Sequence, residues 1–226
     1  SLILGWGVEA ENTFSKTLEQ KLNSNENIKQ KQKNIFVING GISNTNTQDH
    51  FQLFKNQFIQ TKPDTFILGY FINDAETINK KKDNIIFKYS YFSLFIYQQI
   101  KSFFFKGTLD QYYVDLYEEG KLGWIDSQKS ILDLKNLCEK NNINFVILLL
   151  PSLHNFSENS ELKNLYTRIN NKFLKMNIPV VNTYNSLSKV FKSNPRKAWI
   201  ANDDTHPNPK AHEIIANDLY NYLLNK

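Results

Sequence analysis

Cysteine is almost absent. The chain has 226 residues and one cysteine, Cys138, so no disulfide framework can be built from it. That thiol falls on the apolar face of a helix-like segment and says nothing about redox compartment. Glycine and proline are also scarce, at eight and six, and no stretch rich in Gly, Pro or Ser divides the chain. A single domain over residues 1–226 is expected, long enough to bury a core. No run of 18 uncharged apolar residues occurs, which argues against a membrane-spanning helix. The nearest approach, "IIFKYSYFSLFIYQQIKSFFF" at 85–105, is interrupted by Lys88, Gln98, Gln99 and Lys101. It reads as a partly buried helical element of an aromatic-rich insertion at about 78–122, rather than a lid or a membrane-surface element. Metal-type Cys/His spacing is missing too: His206 and His212 stand six apart, not the four that align two ligands on a helical face.

The charge balance is basic, at +5. The dense clusters are "KQKQK" ending at Lys33 and "KKK" at Lys80 to Lys82, which read as solvated loops and not as a nucleic-acid footprint. Composition heavy in Lys, Asn and Phe suggests an AT-rich bacterial genome.

Helices and strands take turns along the chain. Continuous apolar runs occur at "NIFVIN" (34–39), "TFILGY" (65–70), "NFVILLL" (144–150) and "IPVVNTY" (178–184), the pattern of strands buried on both faces. Helical spacing links Phe14, Leu18 and Leu22; Phe51, Phe54 and Phe58; Ile131, Leu134 and Cys138; Leu165, Ile169 and Phe173; and Ile215, Leu219 and Tyr222. This order predicts an α/β fold, a parallel sheet with helices on both faces, whose chemistry lies at the carboxyl ends of the strands. Polar residues collect there: Asn39, Asn44, Asn46, Asn73, Asp74, Asp203, Asp204 and His206.

A histidine oriented by a carboxylate is half of an acyl-transfer site, because the imidazole must hold one tautomer while it takes a hydroxyl proton. The "DDTHPNP" stretch around His206 offers that half. Ser1, Ser43 and Ser152 are the candidate nucleophiles, and local chemistry hardly separates them. A histidine at a helix start is, by itself, more commonly a surface or capping residue.

Four blocks decide between these readings. "SLILGWGVEAENTF", "VINGGISNTNTQ", "LGYFINDAE" and "DDTHPNPKAHEIIA" resemble, in order and at suitable spacing, the blocks of the SGNH or GDSL serine hydrolases, an esterase and lipase-like family. The resemblance implies a three-layer, flavodoxin-like α/β sandwich. It also implies that the family's Gly-Asp and first strand would stand upstream of Ser1, as would any export signal.

Carried over residue by residue, the resemblance puts Ser1 on the nucleophile and His206 on the general base. It puts Asn73 on the oxyanion hole, with the backbone N–H groups of Ser1 and Asn44. The family usually has glycine where Asn44 stands, and Asn is the non-glycine residue best suited to left-handed backbone. Both Asp203 and Asp204 fit as the carboxylate partner; the His-Pro-Asn context favours Asp204. The implied activity is ester hydrolysis of a small-molecule or carbohydrate substrate through an acyl-enzyme, with no metal or organic cofactor and no nucleic-acid partner. Alternatives are an O-acyltransferase, an inactive glycan-binding relative and, more remotely, a dinucleotide-binding module, since "LILGWGVEA" also reads as a strand followed by G-x-G-x-x-A.

Overall fold

The computed structural model describes residues 1–30, 34–77, 108–157 and 160–225. Helices α1 (Phe14–Ser24), α2 (Glu26–Gln30) and α3 (Thr47–Asn56) precede strand β1 (Thr65–Phe71). Then come α4 (Leu109–Leu116), α5 (Leu122–Lys140), β2 (Asn144–Leu150), α6 (Glu161–Lys175), β3 (Val180–Asn182) and α7 (Tyr184–Phe191). A two-stranded hairpin, β4 (Trp199–Ala201) and β5 (Asp204–Pro207), leads into α8 (Pro209–Leu224). The aromatic run at 85–105, the lysines at 80–82 and most of the expected insertion lie outside the described residues, whereas its end contains α4.

β1, β2 and β3 form a parallel sheet in that order, with Thr65 opposite Asn144, Phe71 opposite Leu150 and Ile147 opposite Val180. The central strand explains its own sequence. Phe145 to Leu150 are all buried, so both faces are covered and the apolar run has no polar alternation. α1 packs on α8 and α3 on α5, while α5 and α6 also reach the sheet. The apolar helix positions read from the sequence sit in the core, with the exceptions of Phe51, Phe58 and Tyr222, which are partly buried against it. The fold is the expected α/β arrangement.

One expected strand is absent, and so is the strand of the dinucleotide-binding alternative. Residues 34–39 are extended but paired with no strand among the described residues. Side chains of α1 hold this backbone instead: Ile35 N–H donates to Asn23 Oδ1 at 2.9 Å, Ile35 O accepts from Asn23 Nδ2 at 2.8 Å, and Val37 N–H donates to Glu19 Oε2 at 2.8 Å. Ile35 and Val37 pack inward while Phe36 (80% exposed) and Ile38 (63%) face out, so the run is buried on one face only. Residues 2–7 form turns rather than a strand, and the strand-loop-helix geometry of a dinucleotide fingerprint is not formed there.

Asparagine stands in for scarce glycine where helices α5 and α6 end. Asn142 and Asn177 adopt φ of 56° and 55°, left-handed conformations that allow the chain to leave each helix and turn toward the next strand.

α1 and α8 are joined by a buried side chain. His212, wholly inaccessible, accepts the N–H of Phe14 at Nδ1 (3.2 Å), and its Nε2 has no hydrogen-bond partner. Burial lowers its pKa to about 4. In the unfolded chain the ring takes a proton near pH 6.5. The stability held by the neutral buried ring is therefore complete above that value and lost as pH falls toward 4, on the order of 3 kcal/mol in all. Thermal melts of the parent and of His212→Asn, whose amide oxygen can still accept from Phe14, should diverge accordingly. The Asn variant should lose less of its melting temperature between pH 7 and 4.5, and equal losses would show that His212 does not set this dependence.

Candidate active site

Ser1 begins a tight turn whose carbonyl accepts the N–H groups of Gly5 (3.2 Å) and Trp6 (3.4 Å). Gly7 follows at φ +84°, where a Cβ would stand 2.8 Å from Ile200 Cγ1 of β4. Only glycine permits both that backbone and that approach. On the other side, Asn39 Nδ2 donates to Ile3 O at 2.9 Å, and a Cβ on Gly41 would collide with the Leu4 backbone. The serine-bearing turn is thus clamped between the β4–β5 hairpin and the loop after residue 39.

The hairpin is fixed in turn by its ends. Asn208 N–H donates to Ala198 O at 2.8 Å, Asn208 Nδ2 donates to Lys197 O at 2.7 Å, and Trp199 Nε1 donates to Leu153 O at 2.8 Å. Asn208 Oδ1 also caps α8 by accepting from Ala211 N–H at 3.0 Å. His206 therefore stands on a short antiparallel strand, not on a plain loop.

Three side chains line up across this junction. Ser1 Oγ lies 2.7 Å from His206 Nε2, and His206 Nδ1 lies 2.5 Å from Asp204 Oδ1. The same Asp204 oxygen accepts the backbone N–H of His206 at 3.0 Å. That backbone hydrogen bond, then the imidazole contact, and to a smaller degree the Trp6 side chain hold the Asp204 carboxyl below the usual carboxylate range. An ionised carboxylate can only accept, so Nδ1 carries the hydrogen, and the neutral ring offers an Nε2 lone pair to the serine hydroxyl. Asp203 is exposed in the turn between the strands.

Asn73 is exposed on a single 3-10 turn, Ile72–Ala75, directly after β1. Asn44 is exposed in the loop before α3, at φ 57°, the left-handed region where glycine is otherwise favoured. Hydrogen bonds from just beyond Asn44 reach the Asn73 turn: Asn46 Nδ2 donates to Glu76 O at 3.1 Å and Thr47 Oγ1 to Asp74 O at 3.3 Å. Asn46 and Asp49 also form a capping box on α3.

The other serines are placed differently. Ser152 is 3% exposed, with its N–H on Tyr166 OH at 2.6 Å and its hydroxyl 3.1 Å from His154 Nδ1. A buried hydroxyl of that kind offers no approach to an ester. Ser43 lies in the Asn44 loop, half-buried. Trp6, 55% exposed and tilted against the His206 ring at 6.4 Å, is a neighbour that reasoning from residue types missed, although it lies in the first quoted block. Among the described residues no group of three or more His, Cys, Asp or Glu is placed to hold a metal ion, and no helix is long and apolar enough to cross a membrane.

Comparison with known proteins adds two kinds of likeness. The family pattern "GDSL-like Lipase/Acylhydrolase" matches residues 135–219, less than half of the chain but including Asp203, Asp204 and His206. The blocks around Ser1, Asn44 and Asn73 lie outside that match. Two solved structures share the fold. One is a protein named as lipolytic, of the G-D-S-L family, from Desulfitobacterium hafniense DCB-2, with a TM-score of 0.58 and 14% identity over 98% of this chain and 94% of that one. The other is the acetyl xylan esterase AlAXEase, with a TM-score of 0.60 and 14% identity over 99% of this chain and 96% of that one. Among curated proteins none matches. The pattern matched over residues 135–219 and the fold shared along nearly the whole chain make this chain similar to GDSL-type lipases and acylhydrolases.

Proposed function

We propose that this protein hydrolyses esters through a covalent intermediate on Ser1, with His206 as general base and Asp204 as the carboxylate that orients it. The unbroken line Ser1 Oγ to His206 Nε2 to Asp204, at 2.7 and 2.5 Å, carries this reading. Ser1 Oγ attacks the ester carbonyl carbon while His206 Nε2 takes its proton. The oxygen that becomes negative is met by Asn73 Nδ2 and the backbone N–H of Asn44, both on exposed turns facing solvent and not committed to packing. Collapse breaks the carbon–oxygen bond to the alcohol, which leaves with the proton from His206. Water repeats the attack on the acyl-enzyme, gives its proton to His206, and returns Ser1 and a carboxylic acid.

A carbohydrate acetyl ester is the favoured substrate class. Its support is the exposed indole of Trp6 beside the imidazole, a surface on which a sugar ring can lie, together with the fold shared with an acetyl xylan esterase. Transfer to a sugar hydroxyl in place of water would use the same residues. Assaying an aryl acetate with and without an oligosaccharide acceptor separates the two outcomes.

Ser1→Ala should abolish release of the aryl alcohol while the circular dichroism spectrum stays native; a variant as active as the parent would remove Ser1 from the role of nucleophile. Asp204→Asn should lower turnover by about 10,000-fold, because the ring loses its acceptor and takes the wrong tautomer. Asp203→Asn should cost less than about tenfold, within the range of a surface charge change. A crippled Asp203 variant beside an active Asp204 variant would reverse the assignment.

Asn73→Ala should reduce kcat by roughly 100- to 1,000-fold, as the loss of an oxyanion donor does. Asn44→Gly keeps the backbone donor and suits the φ of 57°, so activity should be equal or higher. A large loss on that substitution would mean that the Asn44 side chain itself takes part.

A further inference from the structure

Behind the two exposed turns lies a second imidazole and carboxylate, His50 and Asp74, which the hydrolytic line does not use. His50 is on the first turn of α3, with its side chain 20% exposed, and Asp74 is on the 3-10 turn after β1, with its side chain 5% exposed. His50 Nδ1 stands 4.0 Å from Asp74 Oδ1 and is buried with no hydrogen-bond partner among the described residues.

The hydrogens around this pair can be assigned one by one. Thr45 Oγ1 lies 3.0 Å from both Ile42 O and His50 Nε2, and with its one hydrogen donated to the carbonyl, which can only accept, it accepts from Nε2. Nε2 therefore carries the ring hydrogen, and Nδ1 presents a lone pair to the carboxyl. Asp74 Oδ2 is occupied as well, accepting the Phe71 N–H at 2.8 Å. Two lone pairs facing each other in a buried site are costly, and a hydrogen on either atom relieves them; placed on Asp74 Oδ1, with the ring hydrogen on Nε2, it leaves both groups uncharged.

We propose that Asp74 and His50 share one proton, held on Asp74 Oδ1 and directed at His50 Nδ1, and that this neutral pair positions the turns bearing Asn44 and Asn73. It rests on the hydrolytic reading given above. His50 contacts Thr45, the residue next to Asn44, and Asp74 adjoins Asn73 and closes its turn, so a hydrogen bond between the two would tie both candidate oxyanion donors to a common point. At 4.0 Å the two atoms are about 1 Å beyond hydrogen-bond distance, and the shared proton requires the two turns to approach by that much.

Electrostatics agree with the placement of the proton. Burial pushes the Asp74 carboxyl up to about 7 and Glu76 adds to this, while the Phe71 N–H opposes it. Burial lowers His50 to about 4, with the Asp49 carboxylate opposing. The hydroxyls of Tyr70 and Tyr117 also feel Asp74, and both are raised far from the neutral range, mainly by burial. The acid is thus the partner that keeps the proton, and it gives it up as pH rises through about 7.

The decisive substitution is Asp74→Asn, which puts a permanent, non-titrating donor where the protonated acid stands. It should retain kcat within about threefold of the parent at pH 6 and keep that rate at pH 8.5, where the parent declines. Asp74→Ala and His50→Leu should each lower kcat by about tenfold or more at pH 6 with KM within about threefold. An Asn variant as damaged as the Ala variant would show that the carboxylate charge is needed and would overturn the proposal. Carboxyl carbon NMR of the unliganded full chain gives a readout that does not depend on activity. Asp74 should be protonated at pH 6 in the parent and its titration should shift in His50→Leu; an Asp74 already ionised at pH 6, or unmoved by that change, would also overturn it. If the parent hydrolyses no ester while this titration behaves as stated, the pair stands and the hydrolytic reading fails.

Discussion

The pleat of one four-residue strand governs the candidate site. In β5 successive side chains point to opposite faces, so residues two apart share a face. Asp204 and His206 are two apart, and the carboxylate meets both the ring nitrogen and the backbone N–H of the histidine from that position. Asp203, one residue earlier, is left in the exposed turn. A shift of one residue in the pairing of β5 with β4 would turn His206 away from Ser1. The hairpin register therefore needs the anchors it has: Trp199 opposite Pro207, Ala201 opposite Asp204, and Asn208 tying the exit of the strand to Lys197 and Ala198.

Buried strands force the polar groups to one end. β2 offers no solvent face for a functional side chain, so chemistry must lie beyond the carboxyl ends of the strands, where Asn73 follows β1 directly. The pieces there come from segments far apart in sequence, and short polar ties join them: Asn39 to Ile3, Asn46 to Glu76, Thr47 to Asp74. These bonds cost side-chain entropy to form, which is repaid where the groups are partly or wholly shielded from water. Asn46 and Thr47, at 6% and 0% exposed, are the best shielded of them.

Much of this arrangement can be read in the sequence, and the failures have physical causes. Apolar continuity located β1 and β2 because both faces of a central strand must be apolar, and 3.6-residue spacing located α1, α5, α6 and α8. The same continuity misread residues 34–39, since an extended segment held by Asn23 and Glu19 side chains carries the same residue types as a strand. Residue type could not separate Ser1, Ser43 and Ser152; block order could. Block order said nothing of His50, whose environment arises only when α3 is laid against the turn after β1, 24 residues further on, and no periodicity encodes that contact.

The two imidazole and carboxyl pairs illustrate how burial and accepted hydrogen bonds together would give the same residue types opposite protonation. His206 and Asp204 have side chains 27% and 31% exposed, and Asp204 is held ionised by hydrogen bonds it accepts. Water can stabilise that charge, and the proton stays on the ring, where it fixes the tautomer. Asp74, with its side chain 5% exposed, has little such access, and holding it as an ion beside a charged His50 would cost more than their attraction returns. The proton therefore goes to the acid and the pair is neutral. A neutral pair cannot drive proton transfer from a hydroxyl, but it can hold two turns together without the energetic cost of a buried charge. In the proposed mechanism an ionised Asp204 suits a base that must accept a proton, and an unionised Asp74 suits a fastening behind donors that must not move when negative charge develops in front of them.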